Sequence, residues 1–292
     1  MAVQGSTTGL LENAALEMII KARYTAEHAA PCVQLFEQAT LKPGADTYII
    51  PKVGQMTLMG IAEREENTNE QDIGMTTNSV QTSIVGAKVV LTDFLLRSTT
   101  QDYFAITGRQ LGDARARKED EDMIALFSAL NGGTTWGSAG TALTAAMAVG
   151  CLSRARTNKF GGKVFIIHHP NAISRLKRDL STVGSGQIVA IPKGPSAEAL
   201  EDFFSGMLAP GVPLYEDGNI TRDASDDAIG CIANRGALGI CRSGGLRRAK
   251  ERKEGIGEGA WVLYLTARYV TFEIDDTRGA PMTYDAVDPA TS

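Results

Sequence analysis

Hydrophobic positions recur with a helical period near the start of the chain and again before its middle. Residues 9–24 place apolar side chains at helical spacing, which predicts a short amphipathic arm. Residues 100–130 predict a long helix with an apolar stripe at its C-terminal end. The middle of this helix, at 113–122, mixes bases with acids, so that part is either a solvated face or a docking strip for a neighbour. The stripe consists of Met123, Leu126, Phe127 and Leu130.

A period of two between these helices predicts extended structure. Residues 47–50 begin one extended run, and every second position from Val85 to Leu91 is apolar in another. The segment between them, residues 63–72, is polar and strongly acidic. Two such strands around an acidic tip form a β-hairpin of more than forty residues. Its arms carry too few large apolar side chains to form a core alone, so the hairpin needs a partner surface.

The second half of the chain alternates helical and strand-like segments, in the manner of α/β structure. The glycine-rich segments 132–141 and 255–259 are predicted to be loops, and the basic segment 242–254 a hinge. Helices are predicted at 143–156, from 170 to 180, and after Ser196, where Leu200, Phe203, Phe204 and Met207 form a stripe. Strands are predicted at 163–167, 212–215, 228–233, 238–241 and 261–274.

The composition is that of a globular protein. The 292 residues are 43% hydrophobic and 22% charged, with a net charge of −5, which argues against wholesale disorder, collagen-like repeats or a coiled-coil rod. The N-terminus lacks the basic start and unbroken apolar run of a signal peptide, so we expect synthesis in the cytoplasm. The four cysteines are scattered without a C-x-x-C motif, and we expect four buried thiols rather than disulfides or a zinc site.

Motifs of catalysis and nucleotide binding are missing from the sequence. Residues 132–141 have no lysine after their glycines, so they do not form a phosphate-binding loop, and no G-x-S-x-G elbow occurs. His168 and His169 end a buried strand, where adjacent side chains point to opposite faces, which favours a structural role over shared metal binding. Asp275 and Asp276 indicate a solvated turn. The sequence therefore predicts no catalytic residue, no cofactor and no metal.

Four local stretches stand out within these predicted elements: Ile49-Ile-Pro51, Phe165-Ile-Ile-His-His-Pro-Asn171, Gly211-Val-Pro-Leu-Tyr-Glu-Asp217 and the segment from Ala228 to Leu238. Together with the order of the parts, they resemble the major capsid protein of tailed bacteriophages, the Hong Kong bacteriophage capsid fold, over nearly the whole chain. The resemblance implies an α+β fold with an extended β-hairpin, called the E-loop, a long spine helix, and peripheral (P) and axial (A) domains.

The resemblance also implies a division of the chain. Residues 1–40 are the N-terminal arm and 41–97 the E-loop hairpin. The remaining parts are the spine helix with part of the P-domain (98–140), the A-domain (141–241), the P-domain strands with the basic loop (242–265), and a return into the A-domain (266–292).

The function implied is that of a structural protein, not an enzyme. Copies of the chain would assemble as hexamers and pentamers into an icosahedral head around double-stranded DNA, within the virion and after assembly in the host cytoplasm. The expected partners are other copies, portal and scaffolding proteins, decoration or cement proteins, and packaged DNA in non-specific contact, without a membrane. One alternative is an encapsulin-like nanocompartment shell. A more distant one is an α/β metalloenzyme that uses His168, His169 and Asp275.

Opposite charges on two separated segments suggest a contact between subunits. In the family that the chain resembles, the E-loop lies across the neighbouring subunit, and the segment before the last long strand belongs to the P-domain. We therefore expect the acidic hairpin tip of one subunit to approach the basic segment of another. The residues of this predicted contact are Glu63, Glu65, Glu66, Glu70 and Asp72 on the tip and Arg247, Arg248, Arg252 and Lys253 on the basic segment.

Overall fold

Two β-sheets, with helices packed on them, organise the part of the chain that the computed structural model describes. That part comprises residues 31–42, 44–54, 74–98, 103–183, 204–208, 211–245 and 247–289, with single residues at 56, 58, 60, 66, 70 and 72. The amphipathic arm predicted at 9–24 lies outside these residues. The mixture of helices and sheets is the α+β class that the sequence predicts.

Helices and strands follow one another along the whole described chain. The helices are α1 (Pro31–Leu35), α2 (Asp93–Ser98), α3 (Tyr103–Ala125), α4 (Ala145–Thr157) and α5 (Pro170–Val183), with 3-10 turns at Phe127–Gly133 and Asp276–Arg278. The strands are β1 (Glu37–Leu41), β2 (Thr47–Val53), β3 (Met75–Gln81), β4 (Ser83–Thr92), β5 (Trp136–Ala142), β6 (Val164–His168), β7 (Phe204–Leu208), β8 (Val212–Glu216), β9 (Asp227–Asn234), β10 (Leu238–Ser243), β11 (Arg247–Lys253), β12 (Ala260–Glu273) and β13 (Gly279–Asp285).

The first sheet is built around the long strand β12. Strand β4 runs antiparallel along one edge of β12, while β11 and then β10 pair antiparallel with its other edge. Strand β1 extends the sheet as a parallel neighbour of β10. Because β12 is 14 residues long, it can pair with two consecutive strands on one side and still keep a single partner on the other.

The predicted hairpin is present, with a different strand pairing from the one expected. Strands β2 and β3 pair antiparallel from Thr47↔Gln81 to Val53↔Met75. The alternating run from Val85 to Leu91 is a strand, as predicted, but it is β4 and it pairs with β12 instead of with the other arm. Only Thr82 separates β3 from β4, so one extended segment changes its partner along its length. Val90 and Leu91 are buried in this sheet, whereas a two-stranded hairpin is too thin to bury them.

The second sheet has the order β5-β13-β9-β6-β8-β7. Adjacent residues of its strands enter two different cores, since side chains alternate across a sheet. On β6, Ile166 packs with helices α4 and α5, whereas Phe165 and Ile167 pack in a core that also contains Phe36 of the α1 end and Phe127 after α3. The sheet is thus covered on both faces, which explains the continuous apolar run of β6.

Local signals explain where two helices begin. The side chain of Thr144 caps α4 by accepting the backbone N–H of Met147 at 3.3 Å. Helix α5 begins at Pro170, whose missing N–H is harmless in the first turn. Both helices and strand β12 agree with the sequence prediction within a few residues.

Four sequence predictions are wrong in detail. Phe204 and Met207, predicted on a helix, lie on strand β7, whose backbone pairs with β8. A short apolar run fits the period of a helix as well as that of a strand. Leu200 and Phe203 of the same predicted helix lie outside the described residues. The glycine-rich segment forms the edge strand β5, in which Gly137 adopts a φ of +91°. The basic hinge contains strand β11. The long helix ends at Ala125, and the following 3-10 turn contains Asn131 at a φ of 55°.

Candidate assembly interface

The hairpin formed by β2 and β3 is anchored on the first sheet through one face only. Tyr48 and Ile50 of β2 pack with Phe272 of β12, and the rings of Tyr48 and Phe272 are 5.5 Å apart between centroids. Lys52, on the same face of the strand, places its Nζ 2.9 Å from Oδ1 of Asp275. Alternate residues of β2 therefore attach the base of the hairpin to its own subunit.

The opposite face of the hairpin presents apolar side chains to solvent. Ile49 and Val53 of β2 and Met75 of β3 are 60%, 57% and 61% exposed. Met56 and Leu58, further toward the tip, are exposed as well. An apolar strip on a projecting hairpin is typical of a surface that another molecule covers. This agrees with the expectation that the hairpin needs a partner surface.

The basic segment forms an edge strand whose side chains alternate between the two sheet faces. On one face, Lys250 lies over the ring of Phe104 on α3, 3.9 Å from its centroid, and over Trp261 of β12 at 4.0 Å. The ammonium is thus held between two aromatic rings, a cation–π arrangement. It joins the basic strand to the start of the long helix. Sequence reasoning missed this role because the two rings and the lysine lie far apart along the chain.

Arg252 and Lys253, two of the four predicted contact residues on this strand, already have acidic neighbours in their own chain. The guanidinium of Arg252 lies 2.8 Å from Oδ2 of Asp93 on α2 and also pairs with Glu254. The Nζ of Lys253 is 4.0 Å from the carboxylate of Glu251.

The other two, Arg247 and Arg248, are exposed, and neither forms an ion pair within the described part of the chain. On the acidic side, Glu66, Glu70 and Asp72 are exposed, while Glu63 and Glu65 lie outside the described residues. Among the residues the structure covers, no ion pair joins the hairpin tip to the basic strand of the same subunit. These two arginines and the three exposed acids are therefore accessible to a neighbouring subunit.

The charged middle of α3 is partly a solvated face. Arg117 pairs with Glu121 and Lys118 with Asp122, each four residues apart on the helix. Glu119 is different, because it is buried and binds both Arg115 and, at 2.6 Å, Arg242 of β10. One side of this segment thus fastens the helix to the first sheet.

A buried polar cluster joins three separate parts of the chain. Asp120 of α3 accepts the backbone N–H of Cys32 on α1 at 3.0 Å, and its other oxygen accepts the Asn219 side-chain amide at 2.9 Å. Asp217, in the turn after β8, accepts the thiol of Cys32 at 3.0 Å. Burial and then the neighbouring Asp217 raise the pKa of Asp120 to about 8, and burial likewise raises the pKa of the Cys32 thiol. Sequence reasoning did not bring Cys32, Asp120 and Asp217 together, because they lie far apart along the chain.

This cluster also holds the one convergent set of metal-ligating side chains found in the described residues. Sγ of Cys32 and carboxylate oxygens of Asp120 and Asp217 lie within 4.8 Å of one another. All three side chains are engaged in hydrogen bonds within the chain, so we interpret the cluster as a hydrogen-bonded junction rather than a metal site.

The histidine pair has a structural role. His168 is fully buried; its Nε2 lies 3.1 Å from the carbonyl oxygen of Met282, and its Nδ1 accepts the backbone N–H of His169 at 2.9 Å. A carbonyl oxygen only accepts, so Nε2 carries the proton and the ring is neutral. Burial lowers the pKa of His168 to about 4. His169 in turn accepts the N–H of Asn171 at the start of α5.

The metalloenzyme alternative has no assembled site in the described residues. His168 and His169 are not part of the convergent set above, and Asp275 is occupied by Lys52, Thr277 and Arg278. The four cysteines are free and buried, as predicted. Of the described helices, none is sufficiently long and apolar to cross a membrane.

Comparisons with known proteins identify the family. A family model described as "Phage capsid protein" matches residues 76–280, well over half of the chain. No curated protein sequence matches the chain.

Solved structures share the fold at low sequence identity. The capsid of Ralstonia phage GP4 has a TM-score of 0.70 at 13% identity, covering 94% of this chain and 95% of that one. The head structure of Helicobacter pylori bacteriophage KHP40 has a TM-score of 0.68 at 10% identity, covering 98% of both chains. The SrpI encapsulin complex from Synechococcus elongatus PCC 7942 has a TM-score of 0.66 at 13% identity, covering 100% and 99%.

The structural matches include both phage heads and an encapsulin, so the fold alone does not separate the two, whereas the family model does. The chain belongs to the phage capsid protein family and has the fold of the tailed-phage capsid proteins.

Proposed function

We propose that this major capsid protein assembles as hexamers and pentamers into the icosahedral head of a tailed bacteriophage, around double-stranded DNA. The observation that carries the proposal is the projecting hairpin, which is anchored to its own subunit by one face and leaves an apolar face uncovered. An isolated subunit gains nothing from such a face, whereas a closed shell covers it in every copy. The protein acts as a structural component, without chemistry on a substrate.

We also propose that the parts of the chain follow the divisions expected from the family. We assign the N-terminal arm to 1–40, the E-loop to 41–97, the spine helix with part of the P-domain to 98–140, the A-domain to 141–241, the P-domain strands to 242–265 and the return into the A-domain to 266–292. In support, β13 of the last segment joins β5, β9 and β6 in the second sheet.

The same proposal places the acidic hairpin tip of one subunit against the basic strand of the next. Arg252 and Lys253 have acidic neighbours in their own chain, so we assign the contact chiefly to Arg247 and Arg248. Their partners are the exposed Glu66, Glu70 and Asp72, with Glu63 and Glu65 of the same acidic run. Each exposed pair contributes only about 0–1 kcal/mol, so the contact sets register more than strength.

Portal, scaffolding and decoration or cement proteins complete the set of partners that we propose, and packaged DNA meets the inner wall non-specifically. A net charge of −5 supports the last point, because sequence-specific DNA binding uses a concentrated basic face. The protein would be made in the host cytoplasm and reside in the virion.

Electron microscopy of the purified protein after size-exclusion chromatography tests the assembly. We expect closed shells of uniform size, or rings of five and six subunits, with or without a co-expressed scaffold. A compact monomer or dimer under both conditions, across salt and protein concentration, would contradict the proposal. The contents of particles isolated from producing cells then separate the two shell functions: nuclease-protected DNA supports a phage head, and a protein cargo without DNA supports an encapsulin.

A further inference from the structure

The buried junction of Cys32, Asp120 and Asp217 connects the first described helix to the rest of the subunit. Oδ1 of Asp120 accepts the backbone N–H groups of Cys32 and Val33, at 3.0 and 3.4 Å. These bonds satisfy free N–H groups of the short helix α1, which has no other anchor of this kind among the described side chains. The position of α1 therefore depends on the carboxyl group of Asp120.

The second carboxyl group of the junction lies on a different element. Oδ2 of Asp217 accepts the Cys32 thiol at 3.0 Å, its Oδ1 accepts the backbone N–H of Asn219 at 2.9 Å, and its own N–H donates to the carbonyl of His168 at 3.1 Å. Asp120 and Asp217 are both fully buried. Neither forms an ion pair with an arginine or lysine within the described residues.

The surrounding titratable groups do not neutralise this pair. From α1 and β9 the junction is faced by the thiols of Cys32 and Cys231, which burial keeps protonated. Burial and then the charge of Arg222 lower the pKa of the half-buried His169 ring, and the smaller opposite effect of Asp217 does not reverse this shift. On α3 itself, Glu119 forms ion pairs with Arg115 and Arg242. Two carboxylates buried this close cannot both be ionised without a large free-energy cost.

We propose that Asp120 and Asp217 share one proton, and that this proton closes a latch holding α1 on α3 and on the turn after β8. When the proton leaves to solvent, two like charges face each other across the junction. The latch then opens, and α1 separates from the long helix. This property belongs to the single subunit and does not depend on the assembly proposed above.

The direction of the pH dependence follows from the raised pKa of Asp120. The closed latch holds a proton up to a pH of about 8, whereas a solvated aspartate loses it near its ordinary pKa of 3.8. Between these values the closed form binds one more proton than the open form, so closure weakens as pH rises and levels off above about 8. The equilibrium constant for opening should rise by up to about tenfold for each pH unit in this window.

Hydrogen exchange of the full-length protein, read by mass spectrometry from pH 5 to 8, measures this opening. Exchange rates of peptides covering residues 31–36 are divided by the intrinsic rates of unstructured peptides at each pH. We expect the corrected rates to rise steeply with pH in this segment and to stay well above those of the central strand β12, which exchanges only when the whole subunit unfolds. A flat profile in residues 31–36 would overturn the proposal.

Two variants separate a shared proton from simple packing. In Asp217→Asn an amide N–H replaces the shared proton and does not titrate, so the pH dependence of residues 31–36 should disappear. Cys32→Ser keeps both carboxyl groups and a hydroxyl donor, so it should retain the steep profile. If Asp217→Asn does not fold, Asp120→Asn provides the same comparison. An unchanged profile in the folded asparagine variant would show that the two carboxyl groups do not share a proton.

Discussion

The ammonium of Lys52, on the hairpin, lies 2.9 Å from a carboxylate oxygen of Asp275, which follows the last strand of the first sheet. Lys52 is 54% and Asp275 14% exposed, so the pair is partly screened by water. Burial by itself would raise the pKa of Asp275, but its hydrogen bonds with Lys52 and Thr277 outweigh that effect and lower the pKa. The pair therefore stabilises the attachment of the hairpin only while Asp275 is ionised.

We expect Lys52→Gln to reduce the free energy of unfolding by at most about 1 kcal/mol at pH 7. Because the pKa of Asp275 is lowered, this contribution is present above the ordinary aspartate range and is lost as the pH falls through it. A double-mutant cycle with Asp275→Asn, measured by urea unfolding at pH 7 and at pH 3, tests both statements. Lys163→Gln, at an exposed lysine, is the control. Equal coupling at the two pH values would contradict the prediction.

Replacement of Lys250 should weaken the contact between the basic strand and the long helix. Lys250→Met keeps much of the side chain's length but removes the charge between the rings of Phe104 and Trp261, so we expect a loss of about 1 kcal/mol. Lys250→Arg should retain most of the stability. Arg247→Met, on the same strand but exposed, is the matched control in urea unfolding. An equal effect of the two methionine variants would show that the charge of Lys250 gains no stability from the two rings.

Charge reversal on the basic strand should impair assembly without unfolding the subunit. The double variant Arg247→Glu/Arg248→Glu places acids opposite the acidic hairpin tip, and we expect few closed particles at low salt. Added salt should restore part of the yield, since it screens repulsion between exposed charges. Particle counts by electron microscopy across NaCl concentration measure the effect. Lys159→Glu/Lys163→Glu makes the same charge change at exposed positions elsewhere. Normal particles of the arginine variant at every ionic strength would refute the contact.

Gly230 of β9 should be intolerant of a side chain. A Cβ atom there would lie 2.4 Å from both the His168 ring and the carbonyl oxygen of Ile167, and neither neighbour can move without disturbing β6. We expect Gly230→Ala to cost about 1–3 kcal/mol through overpacking. Gly245→Ala, where an added Cβ atom would have no neighbour within 4 Å, is the control. Thermal unfolding of both variants decides the matter, and equal melting temperatures would contradict the close packing at Gly230.

His168 should make the protein sensitive to acid. Its pKa is about 4 in the folded state against an ordinary value of 6.5, because burial disfavours the charged ring. At this residue the unfolded chain therefore binds more protons between these values, so the contribution of His168 to stability should fall by about 3 kcal/mol as the pH drops from 6.5 to 4. The raised pKa of Asp120 acts in the opposite direction over the same range. Urea unfolding of the wild type and of His168→Gln across this range tests the prediction. The variant should be less stable than the wild type at pH 7, and this difference should shrink as the pH falls to 4, whereas parallel profiles would contradict the assignment.

Much of the fold could be read from periodicity because burial imposes it directly. The continuous apolar run before His168 predicted a strand covered on both faces, and Phe165, Ile166 and Ile167 do enter the two cores of the second sheet. Helix α4, helix α5 and strand β12 were predicted for the same reason. The order of these elements also supported the family resemblance, which the family model confirmed.

For short or ambiguous segments, neighbours in space decided the secondary structure or the strand pairing. Phe204 and Met207 fit a helical stripe as well as a strand, and the backbone of β8 settled the choice. The segment from Ser83 to Thr92 was correctly predicted to be extended, but its pairing with β12 follows from the apolar surface that this long strand offers to Val90 and Leu91.

The sequence by itself determined the period of each long element, the exposure of a charged hairpin tip and a basic segment, and the absence of recognisable catalytic motifs. Tertiary structure alone decided which distant groups meet. Lys250 lies between Phe104 and Trp261, and Asp120 meets Cys32 and Asp217, only because α3 packs across elements far away in the chain. Periodicity reports the burial of a residue along its own element, whereas contacts between distant polar groups depend on how whole elements pack together.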